Sequence, residues 1–336
     1  MINIADIQKA NSNISSNIHR TPISTSTYLS QKFNSNFFFK QELFQKTGSF
    51  KIRGVLNKLS SLTTDQLKNG VVSLSSGNHA QAVAYGSKIY NISSTIVMPT
   101  YSTKSKIEAT KGYGAKVIIT DEDLISVVNE IQKETNATLI HPFDDDYIIA
   151  GQGTLGLEIT EDMPDIDHIF TAIGGGGLIS GICIAMKAHN PKIKIIGVEP
   201  EGADGMRQSL EKKKPVTLDS INTIADGLSA PFIGKRNFEI VQKHIDQLIT
   251  VSDKEIIESM WLIFERTKLF VEPSAAAGLA PILFDKYKLP INSKAMFILC
   301  GGNIDLSLIH ISEPTRPRLI AYAVLWLKKR GGGGGG

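Results

Sequence analysis

From Asn36 to Cys300 the apolar residues alternate between two spacings. Short crowded runs rich in Val, Ile and Phe predict strands, and stretches with an apolar residue every three or four positions predict helices. A helix over Ile4 to Ile18 comes first, and Arg20-Thr21-Pro22 then turns the chain into an irregular segment. Asn36 to Leu43 has the aromatic content of a strand, and after Lys51 the residues Ile52, Val55, Leu56, Leu59 and Leu62 keep helical spacing. Strands over Gly70–Ser75, Ser94–Pro99, Ala115–Thr120 and Thr138–His141 then alternate with helices over Asn78–Tyr90, Lys104–Tyr113 and Leu124–Glu134. A second series follows, with helices over Ile149–Glu161, Leu178–His189 and Asp253–Thr267 and strands over His168–Ile173, Ile193–Val198 and Ala295–Cys300. Strands joined by helices of this length need crossover connections and so pair in parallel. The expectation is an α/β protein of two open parallel-sheet layers with a crevice between them, without any solenoid repeat.

Composition changes that picture little. Of 336 residues, 21% are charged and 42% hydrophobic, the balance of an ordinary soluble globular chain. The formal charge of +3 is concentrated at one end, because Arg316, Arg318, Lys328, Lys329 and Arg330 face only Glu313 in the last segment. The body is left slightly acidic, with no electrostatic footprint for nucleic acid. Cys183 and Cys300 alone give no disulfide framework and fit a reducing compartment. No run reaches the length of a membrane span, and the first 20 residues lack the apolar centre of a signal peptide, so the expected location is cytoplasmic. From residue 307 the pattern breaks: Ile309-His310-Ile311-Ser312-Glu313-Pro314-Thr315-Arg316-Pro317 resembles translated sequencing adapter, Leu319 to Leu327 is too short for a bilayer, and six glycines end the chain. Residues 307–336 are therefore expected to be a non-native tail.

Four stretches carry candidate chemistry. In Thr47-Gly48-Ser49-Phe50-Lys51, a loop hands over to a helix, with Ser49 as the expected N-cap and Gly48 as the tight turn. A lysine there meets the positive end of the helix dipole, which disfavours its ammonium form, and a neutral amine is what forms imines. Gly174-Gly175-Gly176-Gly177, between a strand and a helix, offers backbone N–H groups to a phosphate. The dinucleotide spacing G-x-G-x-x-G fails in every register, since Ile179 or Ser180 stands where the third glycine is needed, so a monophosphate fits better. Ser75-Ser76-Gly77-Asn78-His79 ends a strand and opens a helix, offering hydroxyls, a glycine turn and free N–H groups to a carboxylate. Cys300-Gly301-Gly302-Asn303 follows the last strand. Seven scattered histidines without metal-ligand spacing do not support a zinc site.

In this order, together with Phe39 to Gly54, His141-Pro142-Phe143-Asp144-Asp145, Ile149 to Thr154 and Glu272-Pro273-Ser274, these stretches resemble the fold-type II pyridoxal phosphate (PLP) enzymes, over about residues 4 to 306. Within them the chain is most similar to the serine/threonine ammonia-lyase (threonine dehydratase) and serine racemase group. The resemblance implies a tryptophan synthase β-like fold, with a large PLP-binding domain from residues 1–62 and 148–306, a small domain from 63–147, and the cofactor in the crevice. It implies Lys51 as Schiff-base lysine and general base, Phe50 beside the cofactor ring, Asn78 on its phenolic oxygen, Gly174, Gly175, Gly176 and Gly177 around its phosphate, and Glu272 and Cys300 also at the cofactor, with Cys300 facing the pyridine nitrogen. Ser75, Ser76, Gly77, Asn78 and His79 are implied to hold the substrate. A homodimer or homotetramer acting on a small amino acid, with neither nucleic acid nor membrane as partner, completes the expectation.

The resemblance implies α,β-elimination of L-threonine or L-serine to 2-oxobutanoate or pyruvate and ammonia. A thiol at Cys300 donates weakly, so the ring is a poorer electron sink than one facing a carboxylate, which favours prompt loss of the β-hydroxyl. The alternative is serine racemase. It needs a proton donor on the opposite face of Cα, and Ser76 matches the position where such racemases carry a serine. The His141 to Asp145 run and Cys300 look more like dehydratases, and one site can serve both activities. A non-catalytic amino-acid sensor is expected to lose Lys51 or the glycine cradle, and both are present. Relatives with a divalent cation use Glu-Pro-x-x-x-x-Asp. Here Glu199-Pro200 is followed by Gly205 at the Asp position, with Asp204 one residue early, leaving the Glu199 carboxylate and the Ala203 carbonyl as candidate ligands for magnesium, calcium or manganese.

Overall fold

The computed structural model describes residues 2–304, so the tail expected from residue 307 lies outside the described residues. Helix α1 (Ile4–Ile14) opens on a capping box in which Asn3 and Asp6 satisfy each other's backbone N–H groups. The segment expected to be irregular holds β1 (Ile23–Thr25) and α2 (Thr27–Phe33), before β2 (Asn36–Gln41). Helix α3 (Lys51–Ser60) carries the candidate lysine at its first position. Next come α4 (Thr64–Asn69), β3 (Val71–Leu74), α5 (Asn78–Ile89), β4 (Ser94–Pro99), α6 (Lys104–Gly112), β5 (Lys116–Thr120), α7 (Leu124–Thr135) and β6 (Thr138–Leu139). The remainder runs through α8 (Asp146–Asp162), β7 (His168–Ala172), α9 (Gly177–His189), β8 (Lys194–Pro200), α10 (Gly205–Lys212), α11 (Lys235–His244), β9 (Gln247–Val251), α12 (Asp253–Thr267) and β10 (Lys294–Leu299).

The strands form two sheets. One has six strands in the order β1-β2-β10-β7-β8-β9, parallel except where β1 pairs antiparallel with β2; the other has four parallel strands in the order β5-β4-β3-β6. The four-stranded sheet draws every strand from residues 71–139, and the six-stranded sheet from 23–41 and 168–299. Phe297 of β10 stacks on Phe37 of β2 and Phe170 of β7, with ring centroids 5.0 and 4.9 Å apart. These rings occupy three adjacent interior strands, where large aromatic area contributes strongly to burial. Around the smaller sheet, Ile52, Val55 and Leu56 of α3 join Val71, Ala80, Val83 and Ile96 in one buried cluster, so α3 packs its apolar face against that sheet's helix α5.

Helix α8 touches α3 on one side and α9 on the other, and glycines set both crossings. A Cβ on Gly151 would lie 2.5 Å from the Arg53 carbonyl oxygen, and one on Gly54 would lie 2.8 Å from that of Ile148. On the other side, a Cβ on Gly181 of α9 would lie 2.4 Å from the Gly153 amide nitrogen. The three backbones are therefore in direct contact, which explains the glycines in the Ile149 to Thr154 run. Beneath α3, Arg53 is fully buried and grips Glu42 through two hydrogen bonds of 2.8 Å, and its other amino group reaches Glu158 on α8 at 2.7 Å. Lys40 from β2 pairs with the second Glu158 oxygen at 2.7 Å. Such a cluster is stabilising only while complete, because each member would otherwise be a buried uncompensated charge.

Candidate active site

The strand ends, loops and helix starts surround a cavity of about 360 Å3 lined by every cofactor and substrate residue expected from the sequence: Phe50 and Lys51, Ser75 to His79, Gly174 to Gly177, Glu272 and Cys300. Backbone pairing places the lysine and the thiol side by side. Ser49 bridges antiparallel to Gly301, the Phe50 N–H donates to the Cys300 carbonyl at 3.1 Å, and the Gly302 N–H donates to that of Gly48 at 2.9 Å. Gly48 makes this turn at φ 72°, as its expected role requires. Ser49 is not the N-cap. Phe50 holds that position without a side-chain bond, and the buried Ser49 hydroxyl has no partner, because extended pairing with Gly301 turns it away from the helix start.

Lys51 Nζ donates to the Pro142 carbonyl at 2.9 Å and lies 5.2 Å from the centre of the Phe50 ring. Loss of hydration around the amine lowers its pKa to about 8, so a substantial neutral fraction exists near physiological pH. Burial has the opposite sign for acids: it pushes Glu272 up to about 7 and the Cys300 thiol well above its ordinary value, so that thiol stays protonated. Asn78 donates to Glu272 Oε1 at 2.7 Å and accepts from Asn303 at 2.9 Å, a chain that fixes which way its amide points. Glu272 Oε2 and the Ser274 hydroxyl are buried without partners, on two residues that line the cavity. His79 donates from Nε2 to the Ile140 carbonyl, and burial brings its pKa down to about 3. His141 accepts the Phe143 and Asp144 N–H groups at Nδ1, and burial lowers it to about 4. Both rings are neutral at working pH.

The four glycines wrap the start of α9, with Gly176 as its N-cap at φ 93°. A Cβ on Gly175 would sit 2.4 Å from the Phe143 ring, so only a bare backbone fits between that ring and the loop. The first-turn N–H groups of α9 have no intrahelical acceptors, and Gly177, Leu178 and Ile179 line the cavity, an arrangement suited to an anion. Asn237 from α11 locks the loop by donating to the Gly175 carbonyl at 2.9 Å and the Phe143 carbonyl at 3.1 Å. Sequence reasoning missed Asn237 because α11 itself went unread. It also missed Lys106 on α6 and Asp226, which line the cavity and pair with each other. Gly77 was expected to serve as a tight turn, but its φ of −173° lies outside the left-handed region. Its missing side chain makes room for Lys106, whose Cδ would lie 2.7 Å from a Cβ there.

The expected metal ligands are elsewhere. Glu199, at the end of β8, is fully buried and accepts the N–H groups of Met206 and Arg207 at 2.8 and 2.9 Å, which caps α10, and burial raises its pKa to about 8. Asp204, the nearest spare carboxylate, is held by Arg207 Nε at 2.7 Å and Gln208 at 2.8 Å. Among the described residues no three His, Cys, Asp or Glu side chains gather to hold a metal. This donor set does not fit a divalent cation at Glu199 and Ala203.

A partly neutral lysine, an anion cradle at a helix start and a buried thiol, set between two parallel sheets, define an enzyme built for a phosphorylated carbonyl cofactor. Residues 14–301 match the model of the pyridoxal-phosphate dependent enzyme family, and the chain belongs to that family. It is 40% identical over 313 residues to L-threonine ammonia-lyase of Thermotoga maritima, covering 92% of this chain and 77% of that protein. To serine racemase of Oryza sativa subsp. indica it is 43% identical over 313 residues, 91% of this chain and 92% of the relative. Maize serine racemase superposes with a TM-score of 0.90 at 42% identity, covering 98% of this chain and 99% of that one. The fold is thus the fold-type II arrangement expected from the sequence, and the residues lining the cavity fit PLP. Among the described residues no helix is long and apolar enough to cross a membrane.

Proposed function

We propose that this enzyme eliminates water from L-threonine and L-serine, releasing ammonia with 2-oxobutanoate or pyruvate. The observation that carries the reading is Lys51, whose amine is lowered to about 8 in a cavity it shares with the glycine cradle, Ser76 and Cys300. Gly174 to Gly177 would hold the cofactor phosphate, Phe50 would flank the ring, and Asn78, Glu272 and Cys300 would meet its polar edge. Bound there, PLP supplies an electron sink that acidifies the substrate Cα–H. Lys51 Nζ would anchor the cofactor, and its neutral amine would take the Cα proton. The Ser75 to His79 loop orients the substrate, and Ser75 Oγ keeps the loop in shape by accepting the Gly77 N–H at 3.1 Å. Relatives of both names support the elimination and its alternative, racemisation of serine. The holoenzyme is expected to show an absorbance band near the visible edge that borohydride abolishes, and to release ammonia from L-threonine; lack of both ends this reading.

Ser76 separates the two activities. Elimination uses Lys51 on one face of Cα, whereas inversion needs a second proton donor on the other. Ser76→Ala is expected to remove any D-serine formation while ammonia release from L-threonine stays within about tenfold, about 1.4 kcal/mol of barrier. D-serine and oxo acid measured in one reaction decide it. An alanine variant that still racemises assigns the proton to another group.

The carboxylates near Glu199 are already engaged, so we read the enzyme as independent of divalent cations. Exhaustive chelation is expected to leave kcat/KM within about twofold, since the lost ion has no site among these donors. A drop reversed by magnesium overturns that. Residues 63–147 are proposed as a small domain, supported by the origin of all four strands of the second sheet. Two buried free cysteines support a cytosolic enzyme. Assembly as a homodimer or homotetramer rests on the family resemblance, and sedimentation in solution reads it.

A further inference from the structure

Of the lysine and arginine side chains among the described residues, two line the cavity, Lys51 and Lys106. Lys51 is committed to the cofactor, and the neighbouring histidines are neutral. Lys106 is the fixed cation that remains. It is 7% exposed, reaches in from α6, and lays its stem across Gly77, so that its ammonium would lie 3.3 Å from a Cβ on that glycine. Its ion-pair partner Asp226 starts the short turn Asp226–Leu228, which packs beside Glu272 and Ser274: a Cβ on Gly227 would lie 2.6 Å from the Ser274 hydroxyl and 3.7 Å from Glu272 Oε1. Both residues line the cavity, with Lys106 nearly buried and the Asp226 side chain 43% exposed.

An ammonium has three donors, and one carboxylate does not use them all. The loop beneath it, Ser75 to Asn78, is the segment already read as holding the substrate. We propose that Lys106 is a substrate-recognition residue: its ammonium, shared with Asp226, takes the α-carboxylate of the incoming amino acid above Gly77. The inference rests on the proposed elimination for the identity of that substrate. It gives Gly77 a reason, because any larger residue would displace the Lys106 stem. It also gives the site a means of choosing free amino acids over amides or peptide-bound residues, since only the free carboxylate carries a full charge to meet the ammonium.

The test compares holoenzyme with Lys106→Gln and Asp226→Asn in two measurements. In the first, kcat/KM is measured for L-threonine and for L-threonine amide. Lys106→Gln is expected to lower the acid-to-amide preference about 10- to 100-fold, the value of one charge-assisted hydrogen bond, whereas a merely structural lysine would lower both substrates together. In the second, acetate is titrated against the absorbance band of the holoenzyme without turnover. Its Kd is expected to rise by the same factor in Lys106→Gln and to fall several-fold in Asp226→Asn, where the ammonium no longer has a competing anion. An unchanged preference or an unchanged acetate Kd in Lys106→Gln overturns the proposal, and so does weaker acetate binding in Asp226→Asn, a variant whose partly exposed side chain leaves the core untouched. A wild-type enzyme that binds acetate but makes no oxo acid overturns the elimination reading instead, and the titration still decides Lys106.

Discussion

Lys51→Ala is expected to abolish ammonia release from L-threonine, by about a thousandfold or more, with little change in melting temperature. The loss combines the two functions proposed for one nitrogen, anchoring the cofactor and moving the Cα proton, and general-base removal alone is worth about 10^2- to 10^4-fold. The fold should survive because the amine makes one hydrogen bond, to the Pro142 carbonyl, and is costly to hold charged in its enclosed position. The variant should also lack the borohydride-sensitive absorbance band. Turnover within tenfold of wild type removes Lys51 from the mechanism.

The second large effect is structural. Arg53→Ala is expected to destabilise the protein by about 3–5 kcal/mol, the usual consequence of taking one member from a buried ion cluster. Glu42 has no exposed surface, and Arg53 supplies both of its charged hydrogen bonds; the neutral Thr21 hydroxyl, at 2.6 Å, is what remains. Glu158 keeps Lys40 and is less affected. Urea unfolding followed by tryptophan fluorescence measures the difference. A loss under about 1 kcal/mol means that water or a rearranged Lys40 compensates Glu42, and the cluster is then not what fastens α3 to β2.

The parts of the fold that could be read in advance are those in which local spacing and burial coincide. Strand β4 and helix α12 fall on the predicted residues, because Ile96, Val97 and Met98 are all buried and α12 begins at the capping box of Ser252 and Glu255. Helix α2, with Thr27, Ser30, Gln31 and Lys32 around one buried leucine, offers too narrow an apolar stripe to be seen. Strand β9 is five residues long and lies at a sheet edge, with only Ile249 and Val251 buried, too short a run to stand out. Helices α10 and α11 are polar overall and gain their place from packing, not from propensity. The cavity lining was legible where its residues sit in contiguous motifs: Lys51, the four glycines and the Ser75 to His79 loop. Its cross-links were not, since Lys106 meets Asp226 across 120 residues, Asn78 meets Glu272 across 194, and Asn303 meets Asn78 across 225. No local spacing encodes such pairs. Ser49 failed for a related reason, because strand-like pairing with distant Gly301 overrode a favourable capping residue.

The bare-backbone contacts of α8 with α3 and α9 have a consequence for how this enzyme can change. Lys51 starts α3 and the glycine loop proposed to hold the phosphate starts α9, so the span between them is set by three helices laid backbone to backbone. Ordinary helix packing can be widened or narrowed by exchanging side chains. Here the nearest neighbours of Gly54, Gly151 and Gly181 include main-chain atoms, so a single added methyl collides with the backbone. The frame therefore behaves as a gauge block that holds the start of α3 and the start of α9 at one spacing, insulated from drift in the volumes of the surrounding core. On the proposed reading, adaptation to a different amino acid comes from the rim, from the 75–79 loop, Lys106 and the turn at Asp226, while the spacing of Lys51 and the glycine loop stays constant.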